Sequence, residues 1–263
     1  MISNERKNYL KKKKRSKRII LISQISILIL FFGIWELLSR LNIIDTFLLS
    51  SPTKVFNTII DLAKSNNLFN HISTTLKEIL ISFVLGNIIG FLIASILYLN
   101  KTLSKILDPY LTILNSLPKV ALGPLIIIIS GANNKSIIIM ALLISSIISI
   151  LNINTAFKST DENRIKLLKS MNANKIQILT KVVIPSNYSQ IVDSFKVNIS
   201  MCFVGVIMGE FLVSKEGIGY LINYGSQVFN MNLVISGIII LIILTIILYL
   251  CISFLERKIK KSS

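Results

Sequence analysis

The residue best placed to do chemistry in this chain is Glu210, a carboxylate set inside the apolar run VGVIMGEFLV. A carboxylate at the centre of a membrane span costs about 2.5–3.5 kcal/mol on insertion scales and less near an interface, so it is kept there for a partner or an aqueous path. Its place near the end of the run suits a residue facing such a path or pairing where two copies meet. The simpler alternative is an acceptor for a Lys or a backbone amide of the next loop. The single histidine, His71, has no acid or metal-ligating neighbour in sequence and reads as a solvated loop residue. Cys202 and Cys251 lie in apolar runs without metal-ligand spacing, which suits two small core residues. GANNKS at 131–136 lacks the second Gly and the length of a phosphate loop. No catalytic set, no metal site and no cofactor of the chain's own is expected, so the protein reads as a non-enzyme.

A second stretch suits recognition rather than catalysis: KLLKSMNANKIQILTKVVIP at 166–185. Thr160 or Asp161 can cap a first helix, with Asp161 and Glu162 at its positive end. Ile165, Leu168 and Met171 then share one face. Asn172 stands where that helix should close in a left-handed turn. After Ala173, Asn174 can cap a second helix, with Gln177 as the reciprocal partner of a capping box. Pro185 is expected to end it, because a residue before proline is pushed out of the helical region. The predicted product is a helix–turn–helix knob with an apolar stripe and a basic rim, suited to a groove on another protein. The alternative is an amphipathic loop lying on lipid headgroups.

The elements that hold these residues are membrane spans. The 263 residues are 52% hydrophobic, with a mean hydropathy of +0.71. Apolar stretches of spanning length predict an all-α polytopic membrane protein with about six transmembrane helices, near 19–38, 77–99, 111–130, 136–154, 192–213 and 233–255. Pro118 and Pro124 interrupt the third, a distortion tolerated where it lines a cavity or meets protein. The first span has no small-x-small cleavage site after it and reads as uncleaved.

The formal net charge of +17 could mean nucleic acid, but its distribution says otherwise. Lys and Arg gather in tail 1–18, around 158–181 and in tail 256–263, each flanking an apolar span. That is the positive-inside pattern, with both termini cytoplasmic and the basic segments near anionic lipid. The outer loops are then 39–76, 131–135 and 214–232. SPTKVFNTIIDLAKSNNLF at 51–69 predicts a surface helix, capped by Ser51 with Pro52 first, whose apolar face carries Val55, Phe56, Ile59, Ile60, Leu62 and Ala63. Gly205 and Gly209 form a small-xxx-small pair that permits close helix approach. Asp193 and Lys196 read as snorkelling residues, and Trp35 with Glu36 as an interface anchor.

The 160–185 segment resembles the "EAA" loop of ABC importer permeases. Aligned on Val182-Val183-Ile184-Pro185, the family's Glu-Ala-Ala falls on Lys166, Leu167 and Leu168 and its Gly on Asn172, so turn, spacing and Pro match while the acidic and small residues do not. LLSSPTKVFNTIIDL, HISTTLKEILISFVLGNIIG, the segment from Asp108 to Gly131 with Pro118, Ala121 and Pro124, Asn154-Thr155 with Asp161, and VGVIMGEFLVSKEGIGYLI resemble the nitrate/sulfonate/taurine subfamily. The resemblance implies a permease domain at 19–255 with a coupling loop at about 158–187. It implies Ile165, Lys166, Leu167, Leu168, Met171, Asn172, Ala173, Asn174 and Pro185 at the ATPase contact. Pro118, Ala121, Pro124, Gly205, Gly209 and Glu210 fall to the path or helix packing, and Gly217, Gly219 and Tyr220 to an outer loop. It further implies a second permease copy, two cytoplasmic ATPase subunits that bind the ATP, and an external substrate-binding protein, in the cell membrane. The path walls look mostly aliphatic with Ser and Gly, without a cationic cluster to fix an anion. A second reading, the coupling subunit of an energy-coupling-factor vitamin transporter, calls for Ala-Arg-Gly-type motifs that are absent from the sequence. A membrane enzyme would need clustered polar catalysts, which one His and isolated carboxylates do not supply.

Overall fold

The computed structural model describes residues 4–65 and 67–262, so the extreme ends of both basic tails and Asn66 of the segment expected outside lie outside the described residues. The described chain is helical and contains no strand. Its order is α1 (Asn4–Arg40), α2 (Thr46–Leu49), α3 (Pro52–Lys64), α4 (Asn67–Leu99), α5 (Lys101–Ser116), a 3-10 turn (Lys119–Leu122), α6 (Gly123–Ser130) and α7 (Asn134–Lys158). There follow α8 (Glu162–Ser170), α9 (Lys175–Ile178), a π-helical segment (Leu179–Val183), α10 (Ile184–Ser186), α11 (Tyr188–Val213), α12 (Ile218–Gln227) and α13 (Met231–Ser262).

Among the described residues five helices are long and apolar enough to cross a bilayer, and α5 with α6 makes a sixth only as a pair bent by 87°. The expected third span at 111–130 is therefore corrected to a broken one that starts at Lys101. Pro118 causes the break: Leu117 before it is extended, with φ −64° and ψ 139°, as the proline ring requires. Pro124 does not interrupt a helix. It sits in the first turn of α6, where a missing N–H would have had no partner anyway. The second span begins ten residues earlier than expected, at Asn67.

The bundle core is α4, α7 and α11. Small residues let these backbones approach without an intervening side chain. A Cβ on Gly205 would run into the backbone of Ala141, and one on Gly209 would stand 3.0 Å from the Cα of Ile137. Ile79, Ile137, Ile199 and Val206 fill the space between. A polar link crosses the same core, where Asn198 Nδ2 donates to Asn87 Oδ1 at 2.9 Å.

Ser51 caps α3 by accepting from Lys54 N at 3.3 Å, as its sequence predicts. Glu36 is more than an interface anchor: it accepts from Thr53 N at 3.2 Å and Thr53 Oγ1 at 2.8 Å, tying α1 to α3. Val55 is buried, but Phe56 is 64% exposed, so only part of the expected apolar face meets the bundle. Lys196 is not a lone snorkelling cation. It bridges to Asp193 at 3.4 Å and to Glu256 on α13.

Candidate functional site

The 158–187 loop folds into a closed hairpin of helices. Asp161, not Thr160, caps α8, its Oδ1 accepting from Asn163 N at 2.9 Å. Thr160 is buried, donates to Phe157 O at 2.9 Å and accepts from Asn187 Nδ2 at 2.6 Å. Asn172 has φ 56°, the left-handed turn its type allows. Ala173 N then closes on Leu168 O at 3.0 Å. The capping box forms with both bonds at 2.8 Å, Gln177 N to Asn174 Oδ1 and Asn174 N to Gln177 Oε1. Pro185 does not end the helix as expected. The chain widens into the π segment, and Pro185 falls in the first turn of α10, where its missing N–H disrupts no bond.

The stripe divides differently from the reading of its period. Ile165, Leu168 and Ala173 pack inward against a cluster that includes Ala94, Phe157, Ile178, Leu179 and Val183. Leu167, Met171 and Ile176 point out, 61%, 72% and 61% exposed. Lys166, where the family resemblance places a Glu, is exposed and lies 3.7 Å from Glu162. Arg164, Lys166, Lys169, Lys175 and Lys181 outnumber Asp161 and Glu162 on this hairpin, so the apolar ridge has a basic rim.

Glu210 takes up the simpler of its two expected roles. It is 1% exposed, enclosed by residues of its own chain. Its Oε1 accepts from Thr75 Oγ1 at 2.6 Å and its Oε2 from Gly219 N at 2.5 Å. Ile218 N donates to Thr75 Oγ1 at 2.8 Å, and Gly217 N to His71 Nδ1 at 3.0 Å. These amides open α12, a helix inside the expected loop 214–232 with no side-chain cap of its own. Residues of α4 and α11 thus satisfy N–H groups that a helix start leaves unpaired. Gly217, at φ 103°, makes the turn that presents them. His71 is accordingly a structural acceptor, with its ring 6.0 Å from that of Tyr220, and not a solvated loop residue.

Glu78, one turn along α4 from Thr75, is buried against Glu210 and receives no N–H or O–H donor of its own. Glu78→Gln places an amide donor there. The amide takes the place of a carboxyl proton in the same contact with Glu210, so the midpoint of thermal unfolding in detergent is expected to stay within about 2 °C; a fall of several degrees would count against this geometry.

Pro118, Ala121 and Pro124 are all exposed at the broken span. Between them the structure places a residue the sequence reading passed over: Lys119, half-buried at the bend. The signal was a cation between two prolines in an apolar stretch. No cluster of three or more potential metal ligands occurs among the described residues.

The site is thus a polytopic helical bundle with one broken span and a preformed helical hairpin that turns an apolar ridge outward. The chain belongs to the family of binding-protein-dependent transport system inner membrane components, whose pattern matches residues 86–261. It is 27% identical over 224 residues, covering 85% of this chain and 89% of the relative, to the formylaminopyrimidine transport permease protein ThiX of Halalkalibacterium halodurans. It is 21% identical to the taurine transport system permease protein TauC of Escherichia coli, covering 89% and 87% of the two chains. Its fold matches a chain of a bacterial ABC transporter involved in the import of the acidic polysaccharide alginate, with a TM-score of 0.67 at 14% identity over 94% of this chain and 98% of that one. The protein is an ABC importer permease subunit of the binding-protein-dependent type and a multi-pass membrane protein. Family membership does not favour the energy-coupling-factor reading.

Proposed function

We propose that two copies of this chain enclose a path for a small solute of the nitrate/sulfonate/taurine or thiamine-precursor kind, and that each copy docks α8–α10 into a groove on a cytoplasmic ATPase subunit. ATP binds to those partners and not to this chain, which has no phosphate loop. An external binding protein delivers the solute to the outer loops, among them the segment around Gly217, Gly219 and Tyr220. Both termini and the basic tails lie on the cytoplasmic side, against anionic lipid. Closure of the ATPase pair displaces the hairpins, and the spans convert that displacement into inward- and outward-facing states.

The observation that carries this reading is the outward ridge of Leu167, Met171 and Ile176 on a hairpin whose other face is fixed in the chain's own core. Leu167→Glu and Met171→Glu are each expected to lower ATPase co-purification at least about tenfold, the effect of roughly 1.4 kcal/mol lost at a contact, with the membrane level of the chain unchanged. Leu168→Glu buries a charge inside the hairpin and is expected to lower the level of the chain itself. Undiminished co-purification by both ridge variants would overturn the docking assignment.

A further inference from the structure

Lys119 has a depth that two landmarks fix. Asp108, eleven residues before it on α5, accepts from Lys158 at the far end of α7 at 3.2 Å. A Cβ on Gly123, four residues after it, would meet Met140 and Leu212, close to the opposite ends of α7 and α11. Met140 and Lys158 are eighteen residues apart on one helix, about 27 Å at 1.5 Å per residue. Lys119 therefore stands between the two membrane faces.

Neither the break nor the ammonium suits lipid. Non-helical backbone at membrane depth is found only against protein or along a water-filled cavity, and a central Lys costs about 2.5–3.5 kcal/mol even on the most lenient scales. Yet Pro118 and Ala121 are exposed, and Val120 is 40% exposed, on the single chain. Among the described residues no carboxylate pairs with Lys119. Its Nζ donates to Asn115 O at 2.9 Å and Asn115 Oδ1 at 3.3 Å, both in the preceding turn, and retains a further N–H. The nearby start of α6 has no side-chain cap, so its dipole adds potential of the same sign.

We propose that Lys119 is an anion-binding point on the solute path, holding the carboxylate, sulfonate or phosphate group of a passing solute at the bend. The proposal rests on the permease reading above, and with two copies it places two ammonium groups on one path. It adds one cation per copy to a wall read from sequence as lacking a cationic cluster. A lipid headgroup offers the same chemistry, and the accessibility arm of the test below separates it from a solute on an aqueous path.

The test is charge-selective cysteine modification of the full chain in proteoliposomes. Cys202 is buried and stays in place, while Cys251→Ala removes the exposed thiol. Val120→Cys, and separately Ala121→Cys, is treated with anionic ethylsulfonate and cationic ethyltrimethylammonium methanethiosulfonates. With Lys119 present the anionic reagent is favoured. Lys119→Gln is expected to lower the anionic-to-cationic rate ratio about tenfold, as removal of a charge at a confined path does, and Lys119→Arg to preserve it. Failure of both reagents at both positions puts the break out of contact with water and overturns the proposal, the lipid-facing case included. Modification with a ratio indifferent to Lys119→Gln overturns anion binding but leaves the path standing. The permease reading fails separately, by absence of ATPase co-purification with the parent chain.

Discussion

Gly205→Val is expected to lower the unfolding midpoint of the detergent-extracted protein by about 10 °C and to cut its yield several-fold. A Cβ at this position meets Ala141 through backbone, not through the end of a side chain that could swing away. Relief requires α11 to move off α7, loosening the contact that Ile137, Ile199 and Val206 complete. Overpacking of this kind costs about 1–3 kcal/mol or more, and each kcal/mol is about 2–4 °C in a chain of this size. Gly33→Val is the control: a Cβ there meets nothing within 4 Å, and the midpoint is expected to stay within about 2 °C. Equal behaviour of the two variants would remove the close approach of α7 and α11 as the basis of the bundle.

Glu210→Ala is expected to open the start of α12. It takes the acceptor from Gly219 N and Thr75 Oγ1 together. Leaving buried donors unpaired costs about 1–3 kcal/mol each. The exposed Lys215, in the turn just before Gly217, reports the result directly. Trypsin cleavage at Lys215 in micelles is expected to quicken at least tenfold, roughly the 1.4 kcal/mol that separates one decade of opening from the next. Glu210→Gln keeps one acceptor and is expected to fall between. A cleavage rate unchanged by Glu210→Ala would mean that the carboxylate does not hold this turn.

What the sequence made legible was local. Ser51 before Pro52, Asn172 at a turn, and Asn174 with Gln177 each act within four residues, so their spacing alone carried the geometry. The apolar stripe of the hairpin was half legible. Its period found the helix, but α8 is nine residues long with apolar groups on two faces, and a period cannot say which face meets the chain's own core. Glu210 was recognised as needing a partner, but Thr75 lies 135 residues away, and no local pattern joins them. Pro185 was misjudged because a π segment absorbs it. Lys119 was hidden by its neighbours: the prolines drew attention to backbone distortion, and the charge at the distortion went unread.

Ile165, Leu168 and Ala173 are half-buried against the cluster that holds Ala94 of α4 and Phe157 of α7, and this packing has a mechanical consequence. If the hairpin is the docking element proposed above, that packing ties it to the spans rather than to a tether: shearing it against α4 and α7 would expose those side chains to water, so a push at Met171 is expected to reach α4 and α7 through the cluster.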